Sequence, residues 1–584
     1  MTDATPASAP FSLGVASFDP LTDRVLLWTR IDAGGAADCR WEVADDASFA
    51  PTVAAGEAPV DPETGIVTVD ATGLRPGTRY WYRFVAAGAT SPVGRTRTLP
   101  GAGADRLRVA AVCCARYGGS AFTVYAAAAQ ADVDVVLHLG DYIYEDTKSD
   151  CEGREPEPDH ECVTLEDYRA RHAQARQDPD LLALHAAHPM VALWDDHDLA
   201  DNAWRGGAHT HDPDEHGPWP ERMAAALCAH NEFLPKRLAD PADPTSAWRR
   251  LDAGGLVSIV CTEGRAHRDE PAGIKGTRPA DDPARTLLGP AQAAWLHEAV
   301  ADPSVRWTLL LSGTVVSELV IDAPDAVDGV MPEKYAVIDG RAVNTDQWDG
   351  YLEERRNLAA ALGRRAGGAM IVSGDIHSSW AVEGPRGPEG VPVAVELVCP
   401  PAATTPLGQL LPPGVGALLG PAMVKHLPRV RWVDADHRCY LTLDVGRDRT
   451  EATWWWVEPG DEAAAAVRGR RWSVPWVAPM GLVDPEPVGS ATDEAASPLS
   501  VVRRRRRRLA AAGLLAAFVA ALTGVGAALG VRRRRDQGRS RGLRRAGPGG
   551  RWPGHDLRWL TSAIVQCRRN TMRCADVLRR RGRR

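Results

Sequence analysis

The feature that most constrains the fold is an alternation of apolar strands and helical stretches that starts near residue 105. Strands are predicted at 107–112, 133–139, 190–194, 256–262, 307–312 and 369–374. Helices are predicted between them, at 121–131, 165–177, 221–238, 289–301 and 351–364. Such alternation is typical of an α/β domain in which helices cover a largely parallel sheet. We therefore predict an α/β domain over residues 104–460.

The segment before this domain has a different pattern. Residues 25–31 and 80–84 read as strands, a Pro-Gly turn lies at 76–77, and no helical periodicity is present. Short strands with turn signals predict a small all-β sandwich domain over residues 11–103. Residues 1–10 are small and polar, without the basic and apolar regions of a signal peptide, so we predict a disordered N-terminus.

The C-terminal part is predicted to contain a linker, a hydrophobic helix and a basic tail. Residues 461–508 are rich in Pro, Gly, Ala and acidic residues and end in an Arg run. The next 23 residues, 509–531, carry no charge, which is long enough to span a bilayer as one helix. We predict a single-pass membrane protein with a disordered tail at 532–584. Arg runs on both flanks leave the orientation open. A shifted reading frame in a GC-rich gene is the alternative origin of this segment.

The charge distribution argues against nucleic acid as a partner. Residues 501–584 contain 24 Arg and 3 Asp, yet the whole chain has a net charge of −8, so the preceding body is strongly acidic. An acidic body repels phosphate backbones and suits cation binding. Eleven cysteines are too few for a disulfide framework in 584 residues. Whether Cys151 and Cys162 pair is left open by the sequence.

Metal-binding residue types follow four of the predicted strands. The segments are VCCAR (112–116), HLGDYIYE (138–145), WDDHD (194–198) and SGDIHSSW (373–380). Open α/β sheets build their sites at the carboxyl ends of their strands. Buried carboxylates at such density repel one another unless cations lie among them. The pattern therefore predicts a metal site at this edge of the sheet.

These motifs, in this order, resemble the alkaline phosphatase D (PhoD-like) family of calcineurin-like metallophosphatases. The resemblance extends to FSLGVASFDP (11–20), SPVGRTRTLP (91–100) and DQWDGYLEERRNL (346–358), and it covers about 11–458. It implies a metal-dependent hydrolase of phosphate monoesters or diesters with a metallophosphatase-like sheet core. One departure is that Glu263-Gly264-Arg265 stands where the family usually has Asp-Thr-Arg.

The resemblance also implies a set of metal ligands. The cofactors expected are iron (Fe³⁺) and calcium, with zinc or another divalent metal as the weaker alternative. A thiolate and a phenolate beside carboxylates and an imidazole fit such a mixed centre. Asp141 would bridge the metals, and Cys113 is the neighbouring alternative to the thiolate. The implied ligands are Cys114, Asp141, Tyr144, Asp196, Asp375 and His377.

Two residues are implied to act on the substrate. His197 would face the substrate, although a metal ligand or a core histidine are its alternatives. Arg116 would clamp a phosphate oxygen, although a structural salt bridge would also explain it. The substrate would be a small phosphate ester or, through a phospholipase-type reaction, a lipid head group, and we expect a monomer. The rival from another class is a non-catalytic, membrane-tethered cation-binding relative.

Overall fold

The computed structural model describes residues 9–485, except for 33–37, 273–278, 323–334, 339–340, 412–415 and 459–464. The strands in these residues are β1 Val15–Phe18, β2 Arg24–Arg30, β3 Asp38–Ala44, β4 Thr52–Pro59, β5 Ile66–Thr72, β6 Arg79–Ala86, β7 Ala89–Thr90, β8 Gly94–Arg97, β9 Arg106–Val112, β10 Val135–His138, β11 Met190–Ala192, β12 Arg249–Ala253, β13 Val257–Cys261, β14 Trp307–Leu311, β15 Ile321–Asp322, β16 Tyr335–Ile338, β17 Arg341–Asn344, β18 Ala369–Ser373, β19 Ser379–Val382, β20 Val395–Val398, β21 Val430–Asp434, β22 Cys439–Gly446, β23 Arg449–Trp456 and β24 Val467–Pro475. The helices are α1 Thr123–Ala129, α2 Leu165–Gln177, α3 Pro179–Ala187, α4 Pro213–His216, α5 Trp219–Phe233, α6 Gly289–Ala301, α7 Leu352–Leu362 and α8 Gly416–His426. Short 3₁₀ helices span Asp196–Asp198, Trp348–Gly350 and Leu407–Leu410.

Two mixed sheets form the centre of the α/β part. The first has nine strands in the order β24-β23-β22-β9-β10-β11-β1-β2-β5, and the second has seven in the order β12-β13-β14-β18-β20-β19-β21. The central strands β9, β10, β11 and β1 of the first sheet are parallel, as are β13, β14, β18 and β20 of the second. The α/β class is confirmed, but the strands divide between two sheets with antiparallel edges.

The two sheets pack face to face and helices cover their outer faces. Val109, Leu137 and Val191 of the first sheet share one core cluster with Ile259 and Leu309 of the second. Residues of α1, α2, α3 and α5 cover the outside of the first sheet, and residues of α6 and α7 cover the second. The central strands are therefore buried on both faces, which explains why they are almost entirely apolar.

The N-terminal strands do not form a separate unit. Strand β1 pairs in parallel with β11, and β2 and β5 continue the first sheet beyond β1. A separate N-terminal sheet, β4-β3-β6-β7 with β8 beside β6, packs on these strands through a core that includes Val15, Leu27, Val43, Val67 and Tyr82. The sandwich thus shares one of its two sheets with the α/β part.

Local signals explain where the helices near the site begin. Thr164 accepts a hydrogen bond from the backbone N–H of Asp167, whose carboxylate in turn accepts from the N–H of Thr164, so α2 starts with a capping box. Asp178 caps α3 directly afterwards, and Pro179 occupies its first position, where no backbone N–H is needed. The sequence predicted α2 at the observed residues but did not predict α3.

The C-terminal predictions need correction. Strand β24 lies inside the predicted linker. Its backbone pairs with β23 along the edge of the first sheet, so this part of the segment is ordered sheet rather than linker. No helix within the described residues is both long and apolar enough to cross a membrane. The predicted hydrophobic helix at 509–531 and the tail at 532–584 lie outside the described residues. The prediction of a single-pass membrane protein is contradicted by this finding and is not retained.

A buried ion pair fastens the N-terminal strands to the α/β part. Arg249 donates to both carboxylate oxygens of Asp19, over 2.7 and 2.8 Å, and both side chains are buried.

We expect Arg249→Gln to lower the free energy of unfolding by about 3–5 kcal/mol, because it leaves a buried carboxylate unpaired. Chemical denaturation measures this. Arg24→Gln, which removes an exposed pair with Asp23, should cost no more than about 1 kcal/mol; equal losses would contradict the prediction.

Candidate metal centre

The site lies where the two sheets meet at the carboxyl ends of their strands. The loops after β9, β10 and β11 of the first sheet carry Cys114, Asp141 and Asp196. The loop after β18 of the second sheet carries Asp375 and His377. The four motifs that the sequence placed at one edge therefore come together from two different sheets.

Among the residues that the structure describes, three overlapping groups of side chains have the spacing of metal ligands. In each group, one donor atom per residue lies within 4.8 Å of the others. The residues predicted as His, Cys or carboxylate ligands all belong to these groups. The groups are Cys114, Asp141 and His377; Asp141, Asp196 and His197; and Asp195, Asp196 and Asp375. Asp141 joins the first two groups, which agrees with its predicted bridging position.

The backbone at the site is held in an uncommon conformation. Among the described residues, eight non-glycine residues have positive φ, and five of them lie at this site. Their φ angles fall between 49° and 66°, in the left-handed region that costs energy for side chains with a Cβ. The residues are Cys114, Asp141, Asn202, Asp375 and His377. Backbone strain of this kind concentrates at functional sites.

The Gly-Asp turn after β10 is fixed by its neighbours. Gly140 has a φ of 113°, and a Cβ there would approach the Cβ of Asp195 to 2.5 Å, so only glycine fits. The Asp198 carboxylate accepts hydrogen bonds from the backbone N–H groups of Asp141 and Tyr142. These contacts hold the loop that presents Asp141, and they give Asp198 a structural task.

Tyr144, predicted to be a phenolate ligand, lies against Asp141. Its hydroxyl donates to Asp141 Oδ2 over 2.9 Å and accepts from Thr404 Oγ1 over 3.0 Å. Burial, with Asp141 and Cys114 nearby, raises the pKa of Tyr144 well above its usual value. Since the pKa stays raised although the Arg116 guanidinium lies nearby, a phenolate at this position would need a further cation.

The donor set fits bound cations. Asp196 Oδ1 is buried and has no hydrogen-bond partner among the described residues, whereas Oδ2 accepts from the backbone N–H of Asn202 over 2.7 Å. Burial and Cys114 raise the pKa of Asp141 well above its usual value. Contact with Cys113, then burial, does the same to the pKa of the Cys114 thiol. Metal ions would stabilise the charged forms of all three groups.

His197 is oriented by a buried glutamate that the sequence analysis did not single out. Its Nδ1 lies 2.8 Å from Glu145 Oε2, and its ring lies tilted by 31° against the Tyr144 ring, with the centroids 4.2 Å apart. Although burial acts in the opposite direction, Glu145 and Asp196 raise the pKa of His197 well above its usual value. The imidazole is therefore held in a fixed orientation with Nε2 on its other side.

Arg116 is engaged by neighbouring side chains. Its guanidinium pairs with Asp146 and lies over the Tyr144 ring, 3.9 Å from the centroid. Both the phosphate clamp and the structural salt bridge were open from sequence, and this ion pair is the contact that the structure shows. A role in phosphate binding stays a prediction.

Two further contacts around the site were missed from sequence. Gln347 donates from its side chain to Asp375 Oδ2, and Arg265 contacts Asp195 through both carboxylate oxygens. Gln347 lies in the quoted segment 346–358, and Arg265 in the noted departure at 263–265, but neither had a metal-binding side chain to mark it. Cys151 and Cys162 are both free thiols in the structure.

Comparison with known proteins agrees with this geometry. The sequence profile of the PhoD-like phosphatase family matches residues 109–454, and that of the PhoD-like phosphatase N-terminal domain matches residues 1–100. The chain belongs to the PhoD-like phosphatase family. The predictions of this family and of a phosphoric ester hydrolase are thereby confirmed, because membership implies metal-dependent phosphoester hydrolysis.

Two similar proteins support membership in the PhoD-like family. Alkaline phosphatase D of Bacillus subtilis (strain 168) is 34% identical over 402 residues, which cover 64% of this chain and 66% of that protein, just under two thirds of its length. A solved structure described as that of PhoD matches with a TM-score of 0.71 and 29% identity, and the match covers 82% of this chain and 92% of the other.

Proposed function

We propose that this chain hydrolyses phosphate esters at a centre built from two adjoining metal groups that share Asp141. The observation that carries the proposal is that Asp141 lies within metal-ligand spacing of the Cys114 and His377 donors in one group and of the Asp196 donor in a second group. Two metals held at such a site would stabilise the attacking and the leaving oxygens of the displacement. Family membership supports the same reaction class.

We propose iron and calcium as the bound metals. Cys114 and Tyr144 offer a soft thiolate and a phenolate for iron, and Asp196 and Asp375 offer the hard oxygens that calcium prefers. Zinc or another divalent ion is the alternative. When bound, such cations supply positive charge for the phosphoryl oxygens and lower the pKa of water.

The residues of the chain divide the remaining work. Asp141 and Asp196 place negative charge where cations are held, and the buried surroundings exclude bulk water. In the protonated imidazole, Nδ1–H donates a hydrogen bond to the Glu145 carboxylate, and Nε2–H is the group that would protonate the leaving oxygen of the ester. The His197 side chain is 15% exposed, so its ring borders the accessible side of the site.

The direct test is metal-dependent turnover. We expect the purified chain to hydrolyse p-nitrophenyl phosphate or bis-p-nitrophenyl phosphate, to lose this activity after chelation, and to regain it with iron and calcium. Elemental analysis of the untreated protein identifies the metals. Absence of metal-dependent turnover on both esters would favour the non-catalytic relative. The lipid head-group alternative rested on the membrane helix, and no other observation favours it.

Glu145 should set the alkaline limit of the activity. In Glu145→Gln we expect kcat to fall by roughly 10–100-fold, because the partner that orients the histidine loses its charge. Since Glu145 raises the pKa of His197, its loss lowers that pKa, and the falling limb of kcat should move to lower pH. The kcat–pH profile measures both. Glu161→Gln serves as the control, because Glu161 pairs with Arg222 instead; an unmoved limb in Glu145→Gln would refute the assignment.

A further inference from the structure

A fully buried arginine stands among four carboxylates beside the metal groups. Arg265 has no exposed side-chain surface. It donates to both oxygens of Asp195, with Nη2 2.9 Å from Oδ2, and its Nη1 lies 3.0 and 3.2 Å from the two oxygens of Asp346. Its Nη2 is also 3.4 Å from Asp196 Oδ1 and 3.9 Å from Asp375 Oδ1.

The four carboxylates differ in how they meet the guanidinium. Asp195 and Asp346 take its hydrogen bonds, so their oxygens are committed to it. Asp196 and Asp375 lie at the longer distances of an ion pair. Arg265 therefore holds the first two carboxylates directly and attracts the second two, which are predicted metal ligands, through charge.

Arg268 and the side-chain amide of Gln347 hold this arrangement in place. Arg268 Nη2 donates to Asp346 Oδ1 over 2.7 Å, and its Nη1 donates to the backbone carbonyl of Asp346 over 3.0 Å. Gln347 donates to Asp375 Oδ2 and accepts from the backbone N–H of Val315 over 2.7 Å. The position of Asp375 is thus fixed by the same segment that holds Arg265.

The third group with metal-ligand spacing consists of Asp195, Asp196 and Asp375, and the guanidinium of Arg265 contacts all three. We propose that Arg265 is a positioning residue that serves as a permanent cation in this group. It withholds Asp195 from metal and sets the spacing of Asp196 and Asp375 for the neighbouring metals. The inference rests on the proposed function only in that metals occupy the other two groups.

Arginine suits this task better than a metal ion or a lysine. Its guanidinium stays charged even when buried, and its planar fork matches two carboxylates at once. A buried cation of fixed geometry offsets part of the repulsion among the acidic groups before any metal arrives. The consequence is that the ligand side chains keep their positions in the metal-free site.

The test compares thermal unfolding of metal-free and metal-loaded protein. In Arg265→Gln we expect the Tm of the chelator-treated protein to fall by roughly 2–4 °C more than the Tm of protein reloaded with iron and calcium. The reason is that bound metals replace part of the lost positive charge. Arg249→Gln also removes a buried arginine–carboxylate pair, but away from the metal groups, and it should lower both Tm values equally.

If Arg265→Gln lowers the Tm of the metal-free and the metal-loaded protein equally, the proposal is overturned, because a merely structural arginine behaves like Arg249. If Arg265→Gln does not fold, Arg265→Lys decides. Lysine keeps the charge but lacks the fork, so the metal-induced Tm shift should match that of the unaltered protein. The kcat of Arg265→Lys should fall by about 10–100-fold with KM little changed. An enlarged metal-induced Tm shift or an unchanged kcat in Arg265→Lys would overturn the proposal. The Tm comparison needs no turnover. If the unaltered protein is inactive but Arg265→Gln shows the larger fall in Tm in the metal-free state, only the proposed function is contradicted.

Discussion

Asp141→Asn is expected to remove phosphatase activity almost completely, with a loss on the order of 10⁴-fold or more in kcat/KM. The change keeps the shape of the side chain but removes the charge shared by two metal groups. Enzymes accelerate reactions by about 10⁶-fold or more, and bound cations supply a large part of this in metal-dependent hydrolases. Steady-state kinetics with p-nitrophenyl phosphate measures the loss, and elemental analysis should show a lower metal content.

A matched control lies at the other end of the same strand. Asp134 precedes β10, is mostly buried, and pairs with Arg97 over 2.5 Å and with the backbone N–H of Arg108 over 2.8 Å. Asp134→Asn should lower stability while leaving the metal content and kcat/KM within about twofold, since it touches no metal group. If Asp141→Asn kept its metals and its activity, the bridging assignment would be wrong.

The second large effect is expected for His197→Ala, and its size should depend on the leaving group. A general acid typically contributes about 10²–10⁴-fold, and the contribution is greatest when the leaving oxygen is strongly basic. We therefore expect a loss in this range for an alkyl phosphate ester. For p-nitrophenyl phosphate, whose leaving group needs little protonation, the loss should be on the order of tenfold.

Kinetics on a series of esters with different leaving groups checks this prediction. His160→Ala is the control, because His160 is 62% exposed and its ring contacts Asp159 and Asp167 rather than the site. We expect the His197→Ala variant to retain its metals. The metal content has to be measured as well, because His197 neighbours the predicted ligand Asp196 and metal loss would lower activity on every ester alike. A uniform loss across the series would therefore remove the general-acid role of His197.

Local sequence pattern located most elements of the α/β part. Strand 133–139 is observed at Val135–His138, strand 369–374 at Ala369–Ser373, and helix 165–177 at Leu165–Gln177. Apolar runs and helical spacing are local properties, so one segment suffices to read them. Helix α3 was missed because it follows α2 after a single residue, Asp178, that both ends α2 and caps α3.

The arrangement of these elements could not be read in the same way. Strand β1 pairs with β11, which lies more than 170 residues away along the chain, and no local pattern encodes that partner. The same holds for β24, whose residues were assigned to a linker. Strand pairing over such separations depends on how whole faces pack, which propensity does not report.

By itself, the sequence determined the α/β class, the family and the residue types of a metal site, because strand-end motifs are contiguous and chemically distinctive. Only the tertiary structure decided that the site joins two sheets, that five of its residues adopt positive φ, and that Glu145 and Arg265 hold His197 and the acidic groups. The physical reason is that these are contacts between distant segments. Burial and proximity give an ordinary glutamate or arginine its role, and neither property is visible in the residue type.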